Sequence, residues 1–249
     1  MINSHLLQYL HDIVCVCEKI DSAIVKLPSK DSSDKDFFVY HFFHRSFLFG
    51  KGIILLVDNL LFHEATLVAR NMLEGLFYFE AYKMDPSLAT KWRLYSLYED
   101  YQKAVRDEGK EIADKLLADW KKKLGEEEIE EAKSEFDFDK RNQKWHQEQK
   151  IKDIVKDTDS KELYNVLYYD FSQVTHWTPT GVVGGQLSVN AALAVSFQCL
   201  YTMSKYINDN YQLRFGDDLK RIVNRYIQHH SSALNLSQEV QWSRKQKSD

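Results

Sequence analysis

The chain has 249 residues, of which 44% are hydrophobic and 13% aromatic, enough for one large hydrophobic core. Its net charge of −4 excludes the strongly basic field that is typical of proteins coating nucleic acid or anionic membranes. It has only 9 glycines and 3 prolines, too few for the many turns of an all-β protein. We therefore predict an all-α protein, a multi-helix bundle of seven to nine helices.

Capping residues and helix breakers predict where the helices begin and end. Outside the charged region, the predicted helices cover residues 4–27, 36–61, 62–84, 86 onward, 159–176, 187–208 and 217–232. Ser4 is the expected cap of the first helix, and Pro86 stands at the first helical position of the fourth, where its missing N–H costs nothing. These boundaries predict a single helical domain over residues 1–235, followed by a flexible tail over residues 236–249.

The middle of the chain has a different composition. Residues 95–150 are rich in Lys, Glu and Ala with spaced Leu, Ile and Trp, and are interrupted at Gly109 and Gly125. This pattern predicts a projecting charged helical hairpin inserted in the domain. Its charge runs favour a solvated helix surface over a partner-binding arm.

The cysteines and the apolar segments predict a cytoplasmic protein. Cys15, Cys17 and Cys199 form no C-x-x-C and lack histidines at zinc-ligand spacing, so we expect buried, reduced thiols. The N-terminus lacks the basic and then apolar pattern of a signal peptide. The uncharged run of residues 177–204 is long enough to span a bilayer, but it contains several polar side chains and no basic flank precedes it. We therefore expect a buried central helix and no membrane association.

One pair of charges lies in an otherwise apolar helix. Arg70 and Glu74 are four residues apart in LVARNMLEGLFYF and can pair on one helix face. Because apolar residues surround them, desolvation penalises both charges, and both need further polar partners. A third polar group is therefore expected nearby.

The best candidates for that group form a stripe on a later helix. Tyr164, Tyr168, Ser172 and His176 recur every fourth residue in YNVLYYDFSQVTHW. Residues at this spacing share one slowly drifting helix face, so the stripe presents three hydroxyls and ends in an imidazole.

Together these elements resemble DUF5677, a bacterial family of unknown function whose members show an R-x-x-x-E element on an early helix and a Tyr…Ser…His element on a later one. The similarity spans roughly residues 38–185, and the residues that carry it are Arg70, Leu73, Glu74, Asp85, Pro86, Trp145, Tyr168, Ser172 and His176. The resemblance implies a helical domain in which Arg70, Glu74 and His176 converge. It implies no particular reaction.

These residues have both a functional and a structural interpretation. A histidine beside a carboxylate can act as a general base, and an arginine can hold a phosphate or a carboxylate. The candidate catalytic residues are therefore His176, Glu74, Arg70, Ser172 and Tyr168. Alternatively, a buried Arg–Glu–His network fixes the register of two core helices.

A second motif suggests RNA as a substrate. Arg141, Asn142 and His146 in RNQKWH resemble the R-N-x-x-x-H motif of the HEPN ribonuclease superfamily. In that superfamily the His and Arg of two subunits act on an RNA phosphate without metal. Arg141 and His146 are therefore second catalytic candidates, although five residues of helix turn their side chains about 140° apart.

The sequence lacks the motifs of metal, nucleotide and serine-nucleophile sites. It contains no H-E-x-x-H, no glycine-rich phosphate loop and no G-x-S-x-G, so we expect no metal and no cofactor. It also has no DNA-binding signature. Three functions stay open: a toxin-like or phage-defence effector with metal-independent ribonuclease activity; a non-catalytic module that forms a homodimer or binds a partner protein; and a bundle that binds a small anionic ligand at Arg70.

Overall fold

The structure is a computed structural model that describes residues 2–27, 33–141, 143–144, 150–168, 171 and 185–229. All regular secondary structure in these ranges is helical, as predicted, and they contain no strand. Their ten helical elements exceed the predicted upper limit by one. They are α1 (Ser4–Ile24), α2 (Asp34–Asp58), α3 (Phe62–Met84), α4 (Ser87–Asp107), α5 (Lys110–Leu124), α6 (Glu126–Glu135), α7 (Ile151–Val155), α8 (Lys161–Leu163) with the π-helical turn Tyr164–Tyr168, α9 (Gly185–Asn210) and α10 (216–229).

Local sequence signals explain several helix ends. The prediction that Ser4 caps α1 is wrong, because the Oδ1 atom of Asn3 accepts hydrogen bonds from the backbone N–H groups of the next turn and Asn3 is the cap. The predicted interruptions at Gly109 and Gly125 are confirmed. Both glycines have positive φ angles, 94° and 106°, which favour glycine and separate α4, α5 and α6.

Residue contacts divide the chain into two compact units. Unit 1 comprises Met1–Val25, Phe43–Leu76 and Asn165–Asp249, and unit 2 comprises Lys26–Phe42 and Phe77–Tyr164. Each unit has a core of its own.

The core of unit 1 forms where α1 packs against α9. The buried residues of the two helices include Leu10, Ile13, Cys17, Ile20, Leu193, Cys199, Leu200 and Met203. Gly50 of α2 brings a third helix close, since a Cβ atom at this position would lie 2.8 Å from Cδ1 of Leu200 and 3.3 Å from Cγ2 of Val14. A side chain at position 50 would therefore force Leu200 to shift.

The core of unit 2 forms where α4, α5 and α6 pack against one another. Its buried residues are Leu94, Tyr98, Tyr101, Ala104, Ala113, Ala132, Phe136 and Phe138. The charges of the predicted hairpin pair on the outside, where Nζ of Lys121 lies 3.1 Å from Glu126 and 2.8 Å from Glu130. The alternation of charged and apolar residues in this segment therefore separates a solvated face from a small buried core.

The cysteine prediction is correct for two of the three thiols. Cys17 and Cys199 are buried, but Cys15 is exposed. Cys15 and Cys17 are two residues apart on α1, so they point about 200° apart around the helix, and only one can face α9.

The described part of the uncharged segment, residues 185–204, lies in α9. Among the helices that the structure describes, none combines the length and the apolar character needed to cross a membrane. The buried residues of α9 lie in unit 1.

Candidate functional site

Helix α3 positions the first two residues of the candidate site. Ala69, Met72 and Leu73 are fully buried, which turns Arg70 and Glu74 onto the partly buried flank of the helix. The Nη2 atom of Arg70 lies 3.1 Å from Oε1 of Glu74, and the side chains are 20% and 27% exposed. The two charges are therefore neighbours along the helix, as the four-residue spacing dictates, and both remain in reach of solvent.

The third residue of the site is Tyr168, which ends the π-helical turn Tyr164–Tyr168. Its hydroxyl accepts a hydrogen bond from Nη2 of Arg70 at 3.3 Å and donates one to Oε1 of Glu74 at 3.0 Å. The guanidinium carbon of Arg70 lies 5.4 Å from the centre of the Tyr168 ring, within the range of a cation–π contact. A π-helical turn is an uncommon element that occurs often at functional sites. All three residues belong to unit 1.

The surroundings of Tyr168 keep its hydroxyl protonated. Burial is the largest cause that raises the pKa of Tyr168 above its usual value. The hydrogen bond from Arg70 opposes that rise, while the negative charge of Glu74 adds to it. At neutral pH Tyr168 is therefore a neutral hydrogen-bond donor to Glu74.

This arrangement has the parts of a proton-transfer site. The phenol holds a proton, Glu74 can accept one, and Arg70 can stabilise negative charge on the phenol or on a bound anion. Within the described residues, no group of three or more His, Cys, Asp or Glu side chains could hold a metal ion. The chemistry that these three side chains offer is acid–base chemistry beside a cation.

The remaining predicted site residues are not brought to this network by the described part of the chain. Ser172 and His176 lie outside the described residues, and so do Asn142 and His146. Arg141 is described and exposed. Their assignment to a catalytic site stays a prediction.

Tyr164, at the start of the predicted hydroxyl stripe, makes a different kind of contact. Its ring packs edge-on against Phe77 with the ring centres 5.8 Å apart. Both residues belong to unit 2, whereas Tyr168 belongs to unit 1.

The sequence interpretation overlooked a charged groove between α1 and α10 in unit 1. This groove of about 250 Å³ is lined by Asp12, Cys15, Val16, Lys19, Asp218, Arg221, Ile222 and Arg225. Nη2 of Arg225 lies 3.1 Å from Oδ2 of Asp12, and Arg221 pairs with Asp218. The available signal was the spacing of three and four residues between Asp218, Arg221 and Arg225 on α10, but this spacing cannot reveal that the two helices adjoin.

A second overlooked cluster lies in unit 2. Arg93 of α4 pairs with Asp34 of α2 and with Glu128 of α6, and Thr90 donates a hydrogen bond to the same Asp34 at 2.6 Å. The arginine joins three helices of the unit. The carboxylates already neutralise its charge, so we interpret the cluster as structural.

Comparison with known proteins identifies one family. Residues 36–185, more than half of the chain, match a model described as "Family of unknown function (DUF5677)". The matched range contains Arg70, Glu74 and Tyr168. Comparisons with curated proteins and with solved structures gave no match. None of these comparisons supports the HEPN resemblance.

Proposed function

The chain belongs to the DUF5677 family, and we propose that it is an acid–base enzyme that acts on a phosphate ester, with RNA as the substrate. The observation that carries this proposal is the position of the Tyr168 hydroxyl, which lies between a guanidinium and a carboxylate and makes hydrogen bonds to both. A neutral phenol beside a cation can donate a proton to a leaving oxygen while the cation holds the phosphate.

The described side chains support distinct roles in such a reaction. Arg70 is 20% exposed, so its planar guanidinium can bind a phosphate oxygen from the solvent side. During the reaction Tyr168 would turn its single phenolic proton from Glu74 to the leaving 5′ oxygen and transfer it as the bond from phosphorus to that oxygen breaks, and Arg70 would stabilise the phenolate that remains. Glu74 accepts a hydrogen bond from Tyr168, so it orients the phenol.

RNA is the favoured ester because it carries its own nucleophile. The 2′ hydroxyl attacks the adjacent phosphorus once a base removes its proton, and this reaction needs no added water or cofactor. We assign the base to His176, with Ser172 beside it on the predicted stripe, on the sequence pattern. An enzyme of this kind would act as a toxin-like or phage-defence effector, because unrestricted RNA cleavage stops growth.

The direct test is cleavage of single-stranded RNA by purified wild type in the presence of a chelator. Tyr168→Phe removes one hydroxyl and keeps the ring, and a lost general acid lowers the rate by roughly 10²–10⁴-fold. Tyr201→Phe is the matched control, because the same hydroxyl is removed from a tyrosine of α9 whose ring stacks on Phe197 at 6.3 Å. His176→Ala should also be inactive.

The outcomes separate the proposals. A wild type that leaves RNA intact and does not inhibit growth on expression contradicts the enzyme proposal. An inactive His146→Ala combined with a fully active His176→Ala would move the reaction to Arg141 and His146. Thermal melts of all variants are needed, since a loss of activity counts only when the fold is retained.

A second candidate function, binding of a small anionic ligand, is supported by the partial exposure of Arg70. Inorganic phosphate would then raise the melting temperature of wild type, and Arg70→Lys would weaken the effect because a lysine lacks the bidentate fork. Stabilisation by phosphate without RNA cleavage favours this candidate. If phosphate has no effect and no RNA is cleaved, the Arg70–Glu74–Tyr168 network is structural.

A further inference from the structure

The negative charge of Glu74 lies beside the place at which the proposed reaction needs a phosphate. Oε1 of Glu74 is 3.1 Å from Nη2 of Arg70 and accepts the hydrogen bond of the Tyr168 hydroxyl at 3.0 Å. Among the described residues, Glu74 and Arg70 are the two charged groups that act on the Tyr168 phenol. A phosphate that reaches this phenol therefore meets one cation and one anion.

The contacts of the phenol limit how far a bound phosphate can be from Glu74. A phosphate oxygen that takes the proton of Tyr168 lies about 3 Å from the phenolic oxygen. The phenolic oxygen is itself 3.0 Å from Oε1 of Glu74, so the phosphate oxygen is at most about 6 Å from the carboxylate. The same limit holds for a phosphate oxygen bound to Nη2 of Arg70. This distance is shorter than the screening length of about 8 Å at physiological ionic strength, so salt does not remove the repulsion.

The charge of the phosphate decides how strongly this carboxylate affects binding. An internal phosphodiester of RNA carries one negative charge, whereas a terminal phosphate monoester carries about two above its second pKa of about 6. The second charge is attracted by Arg70 and repelled by Glu74 over similar distances, so it adds little to the binding free energy. It also makes removal of the phosphate from water more costly. Arg70 without Glu74 would instead favour the dianion.

We propose that Glu74 makes the site selective for monoanionic phosphodiesters over dianionic phosphate monoesters. This role of Glu74 rests on the proposed function, because it concerns the phosphate bound at the same site. Its consequence is that the internal phosphates of an RNA chain bind in preference to terminal phosphates and free nucleotides. An enzyme that cleaves within a chain benefits from this preference, since free nucleotides would otherwise occupy the site.

The size of the effect follows from the distance between the charges. At about 6 Å, repulsion of one additional charge weakens binding by about 3-fold in water and about 100-fold at an effective dielectric constant of about 20. The Glu74 side chain is 27% exposed, which lies between these two cases. We therefore expect the carboxylate to change the ratio of the two affinities by about tenfold.

Binding of two ligands that cannot be cleaved tests the proposal. At pH 8, 2′-O-methyluridine 3′-phosphate is a dianion and its 3′-methyl diester is a monoanion, and the blocked 2′ oxygen of both cannot attack phosphorus. The Kd of each is measured by thermal-shift titration of the full chain at constant ionic strength. Wild type should bind the diester at least as tightly as the monoester. Glu74→Gln removes the charge but keeps an oxygen that can accept from Tyr168, so it should tighten binding of the monoester relative to the diester by about tenfold.

Glu64→Gln is the matched control, because it removes the same charge from the same helix. Glu64 is exposed in the first turn of α3, and it precedes Glu74 by about 15 Å along the helix axis. This separation exceeds the screening length, so the ratio of the two Kd values should equal that of wild type.

The outcomes for binding and for RNA cleavage are separable. If RNA is not cleaved but wild type shows the selectivity and Glu74→Gln reverses it, the enzyme proposal falls and the selectivity stands. A wild type that binds the monoester several-fold more tightly, or that binds neither ligand, overturns the selectivity even when RNA is cleaved. A folded Glu74→Gln whose ratio of Kd values equals that of wild type overturns it as well. If Glu74→Gln does not fold, the wild-type ratio alone decides.

Discussion

Two glycines on α2, Gly50 and Gly52, should respond in opposite directions to the same substitution. A Cβ atom at Gly50 would lie 2.8 Å from Cδ1 of Leu200 and 3.3 Å from Cγ2 of Val14. Leu200 is fully buried, and the close packing of protein cores limits how far its side chain can shift. At Gly52 an added Cβ atom meets nothing within 4 Å.

The magnitudes follow from two opposing effects. Replacing glycine by alanine within a helix stabilises the protein by about 1 kcal/mol, because the unfolded chain loses freedom. Overpacking a core costs about 1–3 kcal/mol. Gly52→Ala should therefore raise the free energy of unfolding by about 1 kcal/mol, whereas Gly50→Ala should lower it by about 0–2 kcal/mol.

Urea unfolding and thermal melts of both variants at low protein concentration check this prediction. One kcal/mol corresponds to a shift of about 2–4 °C for a chain of this size. The double variant Gly50→Ala/Leu200→Val should recover part of the loss, since a smaller neighbour admits the methyl group. If both glycine variants stabilise equally, or if Leu200→Val gives no recovery, the close approach of α2 to α9 is not as described.

Three further predictions concern charges and thiols. Arg70→Ala and Glu74→Ala should each lower the free energy of unfolding by about 1–3 kcal/mol, because each single change leaves the other charge partly buried and without its partner. The double variant should therefore lower the free energy of unfolding by less than the sum of the two single variants. Additive values in a double-mutant cycle would contradict this prediction. In native protein at pH 8, a thiol reagent should label Cys15 rapidly and leave Cys17 unmodified, because burial raises the pKa of the Cys17 thiol to about 12. Rapid labelling of a Cys15→Ser variant would refute that expectation. The pKa of Cys17 in the folded protein lies above its ordinary value of 9.0, so the contribution of Cys17 to stability is present below pH 9.0 and is lost as the pH rises toward about 12. The difference in free energy of unfolding between wild type and Cys17→Ala should therefore become smaller as the solution becomes more alkaline.

The sequence alone determined the features that depend on near neighbours along the chain. Glycine at positions 109 and 125 separates three helices because the backbone there has positive φ, which other residues rarely adopt. The pairing of Arg70 with Glu74 follows from the pitch of one helix, so their spacing was sufficient to predict it. The all-α fold class followed in the same way from composition and periodicity.

Only the tertiary structure decided which distant groups meet and which face of each helix is covered. Tyr168 and Glu74 are 94 residues apart in sequence, so patterns among neighbouring residues cannot predict the hydrogen bond between them. Cys15 and Cys17 have nearly the same sequence environment, yet one is exposed and the other buried because α9 covers a single face of α1. Likewise, the sequence did not indicate that Leu48 of α2 would be exposed among the described residues whereas Phe47 beside it is buried. Local propensities act over a few residues, whereas burial depends on the packing of the whole chain, and packing therefore decides these contacts.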